Sequence, residues 1–192
     1  AEVRKAGVQH LKDMLRMCNI LGAQVICGPM APPLGQLVGR GRTPEEWSRA
    51  VEGLREVGAY AEEMGVTVAM ECVNRFETYF INTVADGAAI VRDADHPSVR
   101  LLADIYHMLR ENEGPEALVA AGPLLRHIHV AEREGRTPPG VAGDDFRPYL
   151  RALRRAGYAG AISIECRWDD LAVQLPAALK ALRDQIVRLD GP

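Results

Sequence analysis

The chain has 192 residues, of which 47% are hydrophobic and 26% charged, and its 23 basic and 26 acidic side chains leave a net charge of -3. This balance argues against nucleic acid as the main partner, because phosphate binding needs a concentrated basic surface. No stretch approaches the roughly 20 apolar residues of a membrane-spanning helix, and the first five residues lack the basic-then-apolar order of a signal peptide. The sequence therefore predicts a single cytoplasmic domain over residues 1–192, with no membrane partner.

The four cysteines are scattered singly along the chain. They have neither the paired spacing of a zinc site nor the density of a disulfide scaffold. Three of them sit in apolar runs, which predicts buried thiols.

Helices and strands alternate in the sequence. Apolar residues recur at helical spacing over 3–21, and a short apolar run at 24–27 predicts a buried strand. Gly and Pro dominate residues 28–44, which predicts a long loop, and Thr43 followed by Pro44 is typical of a helix N-terminus. Beyond it the pattern predicts helices at 44–64, 84–93, 113–121, 144–156 and 171–189, and strands at 67–73, 99–105, 127–131 and 161–166.

The predicted strands are apolar on both faces, and a helix follows each one. Strands of this kind pair in parallel through right-handed crossovers. The fold class is therefore predicted to be α/β.

Four of the five predicted strands end in groups that can bind a metal. In parallel α/β folds the chemistry lies at the carboxyl ends of the strands. A single buried glutamate could be a structural ion pair, and a single histidine could be a satisfied core residue, but the same event on four successive strands favours a site. These groups are Glu71, Asp104 with His107, His129 with Glu132, and Glu165.

Three carboxylates and one imidazole form a hard, oxygen-rich donor set. Such a set is better suited to Mn²⁺, Mg²⁺ or Co²⁺ than to a structural zinc ion, whose sites are rich in thiolate. An ion held there could polarise a carbonyl, while carboxylates on opposite sides of the neighbouring carbon act as base and acid. The pattern thus predicts proton transfer next to a carbonyl.

At these residues the sequence resembles a known family. The strings ECVNRFETYFINT at 71–83, ADIYHM at 103–108, HIHVAE at 127–132 and SIEC at 163–166 are similar to those of the ketose 3-epimerases. These are the D-tagatose and D-psicose 3-epimerases of the xylose-isomerase-like superfamily. The segments LGAQVICGP and GRGRTPEEW are similar to the same group, so the resemblance covers nearly the whole chain.

The resemblance implies a TIM barrel with one divalent ion, Mn²⁺ first, with Co²⁺ or Mg²⁺ as alternatives. Carried over by motif, Glu71, Asp104, His129 and Glu165 are the metal ligands. It further implies that Glu71 and Glu165 exchange the proton at C3 of a sugar through a cis-enediolate. The family's substrate-contacting residues match Glu77 and His107.

The stretch after His129 departs from the family pattern. Family members commonly place a substrate-binding arginine a few residues after this histidine, and here Arg133 and Arg136 both compete for that role. Arg136 is favoured because it directly precedes a TPPG turn, as in the family. Glu132 leaves two interpretations open, a group near the substrate or a solvated carboxylate.

The number of predicted strands is smaller than the eight strands of a complete barrel. Within the resemblance, the five predicted strands correspond to strands four to eight of the family barrel, so the chain is expected to lack the first three β/α units. The strands at both edges would then expose unpaired backbone, and we expect a homo-oligomer in which another copy covers them.

Several alternatives remain at this stage. Within the superfamily, hydroxypyruvate and xylose isomerases and inosose dehydratases also act through enolised intermediates on small sugars or related substrates. A truncated, non-catalytic barrel that keeps the metal ligands is a second class. A nuclease of the endonuclease IV kind shares the fold but needs more histidine and carboxylate ligands for its three zinc ions.

Overall fold

The structure is a computed structural model that describes residues 2–31 and 34–190. The chain divides into two compact units, residues 1–102 and 103–192. The predicted loop at 28–44 begins one residue later, because Gly28 belongs to a strand. Residues 32 and 33 lie outside the described residues, and the described residues from 29 to 43 contain no helix or strand.

The first unit carries parallel strands with helices between them. β1 pairs in parallel with β2, and β2 pairs in parallel with β3, with Glu71 opposite Leu102. The predicted parallel arrangement is confirmed for these strands. The elements are α1 (Glu2–Leu21), β1 (Val25–Gly28), α2 (Pro44–Met64), β2 (Thr67–Glu71), α3 (Val84–Ala94) and β3 (Val99–Asp104), whose last two residues belong to the second unit.

α2 has the bounds that its sequence predicts, because both of its ends are capped by nearby residues. The Thr43 hydroxyl accepts a hydrogen bond from the Glu46 backbone N–H, and the Glu46 carboxylate accepts one from the Thr43 backbone N–H. This reciprocal capping box satisfies two donors of the first helical turn. Gly65 ends the helix with a φ of 66°, a left-handed conformation that glycine adopts without strain.

The core of the first unit lies between α1, α2 and β2. Leu15 of α1 is fully buried, and so is Ala61 of α2. Both belong to one cluster with Val57, Val66 and Val68. Burial of this apolar stripe holds α1 and α2 together beside the strands.

The second unit contains the remaining two strands. β4 pairs in parallel with β5, with His129 opposite Ser163. Ile128 and Phe146 are fully buried in its core. Its elements are the end of β3, α4 (Ile105–Glu111), α5 (Glu116–Ala121), β4 (Leu125–Val130), α6 (Arg147–Arg155), β5 (Ile162–Ile164), α7 (Leu171–Val187) and two short 3-10 helices, Gly122–Leu124 and Arg188–Asp190.

The structure corrects several predicted boundaries. Helix α4 was not predicted at all, and the strand predicted to run through residue 105 ends at Asp104, because Asp104 Oδ1 accepts a hydrogen bond from the Tyr106 N–H and starts the helix. The strands predicted at 67–73 and 161–166 are shorter, ending at Glu71 and Ile164. The other elements begin or end within a few residues of the predicted bounds.

The cysteines differ in exposure. Cys72 is buried as expected, whereas Cys27 is exposed, so the expectation of a buried thiol is wrong there. Within the described ranges, the structure has no disulfide and no helix both long and apolar enough to span a membrane.

Candidate metal centre

Glu71 is the last residue of β2 in the first unit. Its side chain is buried, with 6% of the residue exposed. A buried carboxylate is costly unless a cation or hydrogen-bond donors compensate it. The position is therefore one where a functional carboxylate is expected.

The turn that follows β2 orients Glu77. The Asn74 side-chain amide donates to Glu77 Oε1 at 2.8 Å, and Asn74 Oδ1 accepts from the Phe76 N–H. The Glu77 carbonyl accepts from the Gly35 N–H at 2.9 Å, which ties the turn to the long loop before α2. Asn74 thus fixes both the backbone of the turn and the carboxylate of Glu77.

Three sequence-predicted ligands come together in the second unit. Asp104 ends β3, His129 lies on β4 one residue before its end, and Glu165 follows β5 directly. Each offers one ligand atom, and these atoms all lie within 4.8 Å of one another. His129 Nδ1 is 3.2 Å from Glu165 Oε2.

Arg136 lies across two of these carboxylates. Its Nη2 donates to Asp104 Oδ2 at 3.1 Å and also to Glu165 Oε2, while its Nε donates to the Glu165 carbonyl. The guanidinium lies over the Tyr106 ring, 4.7 Å from its centroid. Arg136 has a φ of 55°, a left-handed conformation that a non-glycine residue adopts only when its surroundings fix it.

Arg133, the other arginine that the sequence offered, faces elsewhere. Its guanidinium donates to Asn112 Oδ1 at 3.1 Å, and its backbone N–H donates to the Asp144 carboxylate. Arg133 is therefore held against the C-terminal end of α4, whereas Arg136 reaches the ligand carboxylates.

His107 is placed beside Asp104 by the helix that the sequence did not predict. Only 3% of His107 is exposed, and its Nε2 is 3.7 Å from Asp104 Oδ2. Burial, followed by the positive charge of Arg136, lowers the pKa of His107 to about 3. The imidazole is consequently neutral near pH 7 and can donate one hydrogen bond and accept another.

Glu165 is held in its ionised form. A hydrogen bond with His129 lowers its pKa, and the charge of Arg136 acts in the same direction against the effect of burial. An ionised carboxylate at this position can serve as a metal ligand or as a general base.

Glu132 is fully buried, with 0% exposed, so its interpretation as a solvated carboxylate is wrong. Its two oxygens accept hydrogen bonds from the Gly140, Ala142 and Gly143 backbone N–H groups and from the Thr137 hydroxyl. The sequence could not reveal this, because the donors belong to a loop with no periodic pattern.

The cluster fits a hard divalent ion. Asp104 and Glu165 supply carboxylate oxygens and His129 supplies an imidazole nitrogen, which together suit Mn²⁺, Co²⁺ or Mg²⁺. The second contacts of these ligands, from Arg136 and the α4 backbone, hold the side chains in fixed orientations, as is common around metal sites.

Comparison with known proteins agrees with the fold and the motifs. The sequence model of one family, described as the xylose isomerase-like TIM barrel, matches residues 1–186. The chain belongs to this family. The predicted fold class is thereby confirmed.

Relatives within the xylose isomerase-like family include named epimerases. The D-psicose 3-epimerase of Agrobacterium fabrum is 35% identical over 121 residues, which cover 62% of this chain and 42% of the relative. The L-ribulose 3-epimerase of a Methylomonas species is 32% identical over 160 residues, which cover 83% of this chain and 55% of the relative. The chain spans about half the length of these curated relatives.

A solved member of the family has a similar fold. The crystal structure of D-psicose 3-epimerase with D-tagatose from Clostridium cellulolyticum H10 aligns with a TM-score of 0.85 at 28% identity. The alignment covers 98% of this chain and 72% of that chain.

Proposed function

We propose that the protein is a divalent-metal-dependent sugar epimerase that inverts C3 of a ketose. The observation that carries the proposal is the cluster of Asp104, His129 and Glu165 at the carboxyl ends of three strands, in a chain whose relatives are named ketose 3-epimerases. This donor set is suited to a hard cation, and the strand ends are where the fold places its chemistry.

The proposed ligands are Glu71, Asp104, His129 and Glu165, with Mn²⁺ as the first candidate ion. Glu71 is included because it is a buried carboxylate at the carboxyl end of β2, the strand that pairs with β3. When bound, the ion would polarise the substrate carbonyl and so acidify the proton on the neighbouring carbon.

The two glutamates are proposed to move the proton. One carboxylate removes the proton from C3, so that the C–H electron pair forms the C2–C3 double bond of a cis-enediolate while the π pair of the C2 carbonyl moves onto its oxygen. The other carboxylate then returns a proton to the opposite face of C3 as the C2 carbonyl forms again. Glu165 is proposed for the first role, because its carboxylate directly follows β5, lies 3.2 Å from His129 Nδ1 and is ionised near neutral pH, as a base must be. Glu71 would then take the complementary role.

The substrate is proposed to be held by Glu77, His107 and an arginine. Glu77 is oriented by Asn74, and His107 is neutral and can donate to a sugar oxygen. Arg136 is the preferred arginine because its guanidinium reaches the ligand carboxylates, and Arg133 is the alternative. Prealigned groups of this kind lower the entropic cost of reaching the reactive geometry.

A substrate screen tests the proposal. Purified protein, with Mn²⁺ and after metal removal, is incubated with D-psicose, D-tagatose, D-fructose and L-ribulose, with aldoses, hydroxypyruvate and inosose alongside. We expect interconversion of C3-epimeric ketoses only when metal is present. Conversion of an aldose or hydroxypyruvate, or dehydration of inosose, would assign another reaction, and no turnover on any of them would contradict the proposal.

The protein is also proposed to self-associate. Several large apolar side chains are exposed on α1, including Met17, Ile20 and Leu21. Exposed apolar patches of this kind are typical of interaction surfaces. Light scattering after size-exclusion chromatography should give a mass that is a multiple of that of one chain, and a monomer at micromolar concentration would contradict this.

A further inference from the structure

We propose that Glu132 is a positioning residue that fixes Arg136 at the ligand carboxylates. The inference rests on the proposed function in one respect, namely that Arg136 helps to hold the substrate. It starts from the segment between β4 and α6, which has no helix or strand.

The Glu132 carboxylate organises this segment from inside. The Gly140 N–H donates to Oε1 at 2.7 Å and the Gly143 N–H at 3.0 Å, while the Ala142 N–H and the Thr137 hydroxyl donate to Oε2. Backbone N–H groups need acceptors, and in a loop without regular structure they find few among neighbouring carbonyls. The carboxylate supplies the hydrogen-bond acceptors that the carbonyls of a neighbouring strand supply in a sheet.

Thr137 transmits this constraint to Arg136. The Thr137 carbonyl accepts from the Glu132 N–H at 2.9 Å, and the Thr137 hydroxyl lies 3.1 Å from Glu132 Oε2. Glu132 therefore holds Thr137 through both backbone and side chain. Thr137 directly follows Arg136, so the same contacts fix the backbone from which the arginine extends.

Arg136 needs such support because its backbone is strained. Its φ of 55° lies in the left-handed region, which costs a non-glycine residue free energy. Its carbonyl accepts from the Arg167 N–H at 2.8 Å, so the residue is also held from the loop after β5. Because the backbone is fixed on both sides, the guanidinium loses less conformational entropy when it binds Asp104 and Glu165.

Substitution of Glu132 by Gln should displace Arg136 but leave the proposed metal ligands Asp104, His129 and Glu165 in the protein. An amide keeps the shape, but its NH₂ group cannot accept from backbone N–H groups, so about half of the contacts are lost. We expect E132Q to retain Mn²⁺ binding, with a loss of affinity below about tenfold because Asp104, His129 and Glu165 all remain, while kcat/KM for the ketose falls by about tenfold to a hundredfold, the range for a misplaced positioning group. Thr137→Val removes the hydroxyl that binds Glu132 and should lower kcat/KM by a smaller factor than E132Q does. Thr137→Ser keeps a hydroxyl and should have the wild-type kcat/KM.

A double-mutant cycle separates this role from general loss of structure. If Glu132 acts through Arg136, the double variant E132Q/R136A should lose no more activity than R136A alone. Losses that multiply in the double variant would overturn the proposal. Glu134→Gln is the matched control, because Glu134 is an exposed acid in the same loop, and it should behave as the wild type.

A second readout does not depend on turnover. In a ¹⁵N-correlated spectrum recorded with and without Mg²⁺, the Nε–H signal of Arg136, assigned by its loss in R136K, should be shifted and protected from exchange. In E132Q and T137V it should move toward the signals of exposed arginines. An unchanged Arg136 signal in both variants would overturn the proposal, whereas a protein with the shifted signal but no activity on any ketose would contradict the proposed function alone.

Discussion

Asp104 serves two purposes with its two oxygens. Oδ1 caps α4 by accepting from the Tyr106 N–H at 2.8 Å, and Oδ2 lies 3.1 Å from Arg136 Nη2. One side chain therefore starts the helix that carries His107 and places the oxygen of a proposed metal ligand at the end of β3. The local structure and the site depend on the same residue.

This double role predicts different results for two substitutions of Asp104. Asn is as good an N-cap as Asp, so D104N should keep the cap of α4 and lose only the carboxylate charge that pairs with Arg136, and it should weaken Mn²⁺ binding by about tenfold or more. D104A should in addition lower the free energy of unfolding by about 1 kcal/mol through loss of the cap. Titration calorimetry and thermal unfolding measure the two effects.

The outcome that would contradict this account of Asp104 is specific. Mn²⁺ binding by D104N with wild-type affinity would show that the carboxylate charge is not used. Glu116→Gln, a change at an exposed acid in the same unit, is the control and should alter neither quantity.

At the residue scale, the sequence identified the side chains that cluster but not the contacts that hold them in place. The sequence predicts a site at Asp104, His129 and Glu165 because polar residues stand out where each apolar strand ends. The burial of Glu132 could not be foreseen, since its donors are backbone amides of a loop. The roles of the individual site residues stay predictions.

At the scale of elements, α2 is tied at its start to the loop before it and to the turn after β2. Arg40 forms two hydrogen bonds with the Glu46 carboxylate, and the Tyr79 hydroxyl donates to Glu46 Oε1. The hydrogen bond from Arg40, followed by that from the Thr43 N–H, lowers the pKa of Glu46 from 4.5 to about 2. Glu46 is therefore the point at which three segments meet.

The lowered pKa of Glu46 predicts a pH dependence of stability. A carboxyl whose pKa is lower in the folded protein contributes stability above its unfolded value, and the contribution is lost as pH falls through the folded value. The melting temperature should thus decrease as the pH is lowered from 4.5 to 2, and the decrease should be smaller in E46Q. Glu52→Gln, an exposed change on the same helix, should keep the wild-type profile, and identical profiles for all three proteins would contradict the assignment.

Two helical glycines give a second prediction for elements. A Cβ at Gly87 in α3 would lie 2.3 Å from Cys72 Sγ and 2.5 Å from Leu101 Cδ1, whereas a Cβ at Gly53 in α2 would lie 3.8 Å from Val8 Cγ2. Gly87→Ala should therefore destabilise the protein by about 1–3 kcal/mol, as overpacking does. Gly53→Ala should stabilise it by roughly 0.5–1 kcal/mol through helix propensity. Chemical denaturation measures both, and changes of the same sign would contradict the packing described.

The elements differ in how well the sequence predicts them, for physical reasons. α2 is predicted with its observed bounds because Thr43, Glu46 and Gly65 act locally. α4 was missed because β3 and α4 follow each other without a loop and apolar residues continue on both sides of Asp104, so that periodicity cannot tell a buried strand from a short buried helix. The local signals were Asp104 in the N-capping position and Asn112 at the C-cap.

At the scale of the whole molecule, the sequence predicts five strands, and the described residues contain five, in an α/β chain of the xylose isomerase-like TIM barrel family. Parallel strands and crossover helices follow from the apolar runs and the helical spacing alone. The sugar and the ion could not be obtained in that way, because both depend on groups whose relative placement the pattern does not encode. The proposed sugar rests on relatives that are about twice as long as the matched segment, and the proposed ion rests on the chemistry of the donor set.

The central claim, metal-dependent proton exchange at C3, is tested most directly by isotope incorporation. D-psicose is incubated with the protein and Mn²⁺ in D₂O, and deuterium is located by NMR in the recovered sugars. The account predicts one deuterium at C3, with incorporation in E165Q slower by about a hundredfold or more, as expected for loss of a general base, and at the wild-type rate in D169N, which changes an exposed acid in the same loop. Deuterium at C1 instead of C3, or incorporation by E165Q at the wild-type rate, would contradict it.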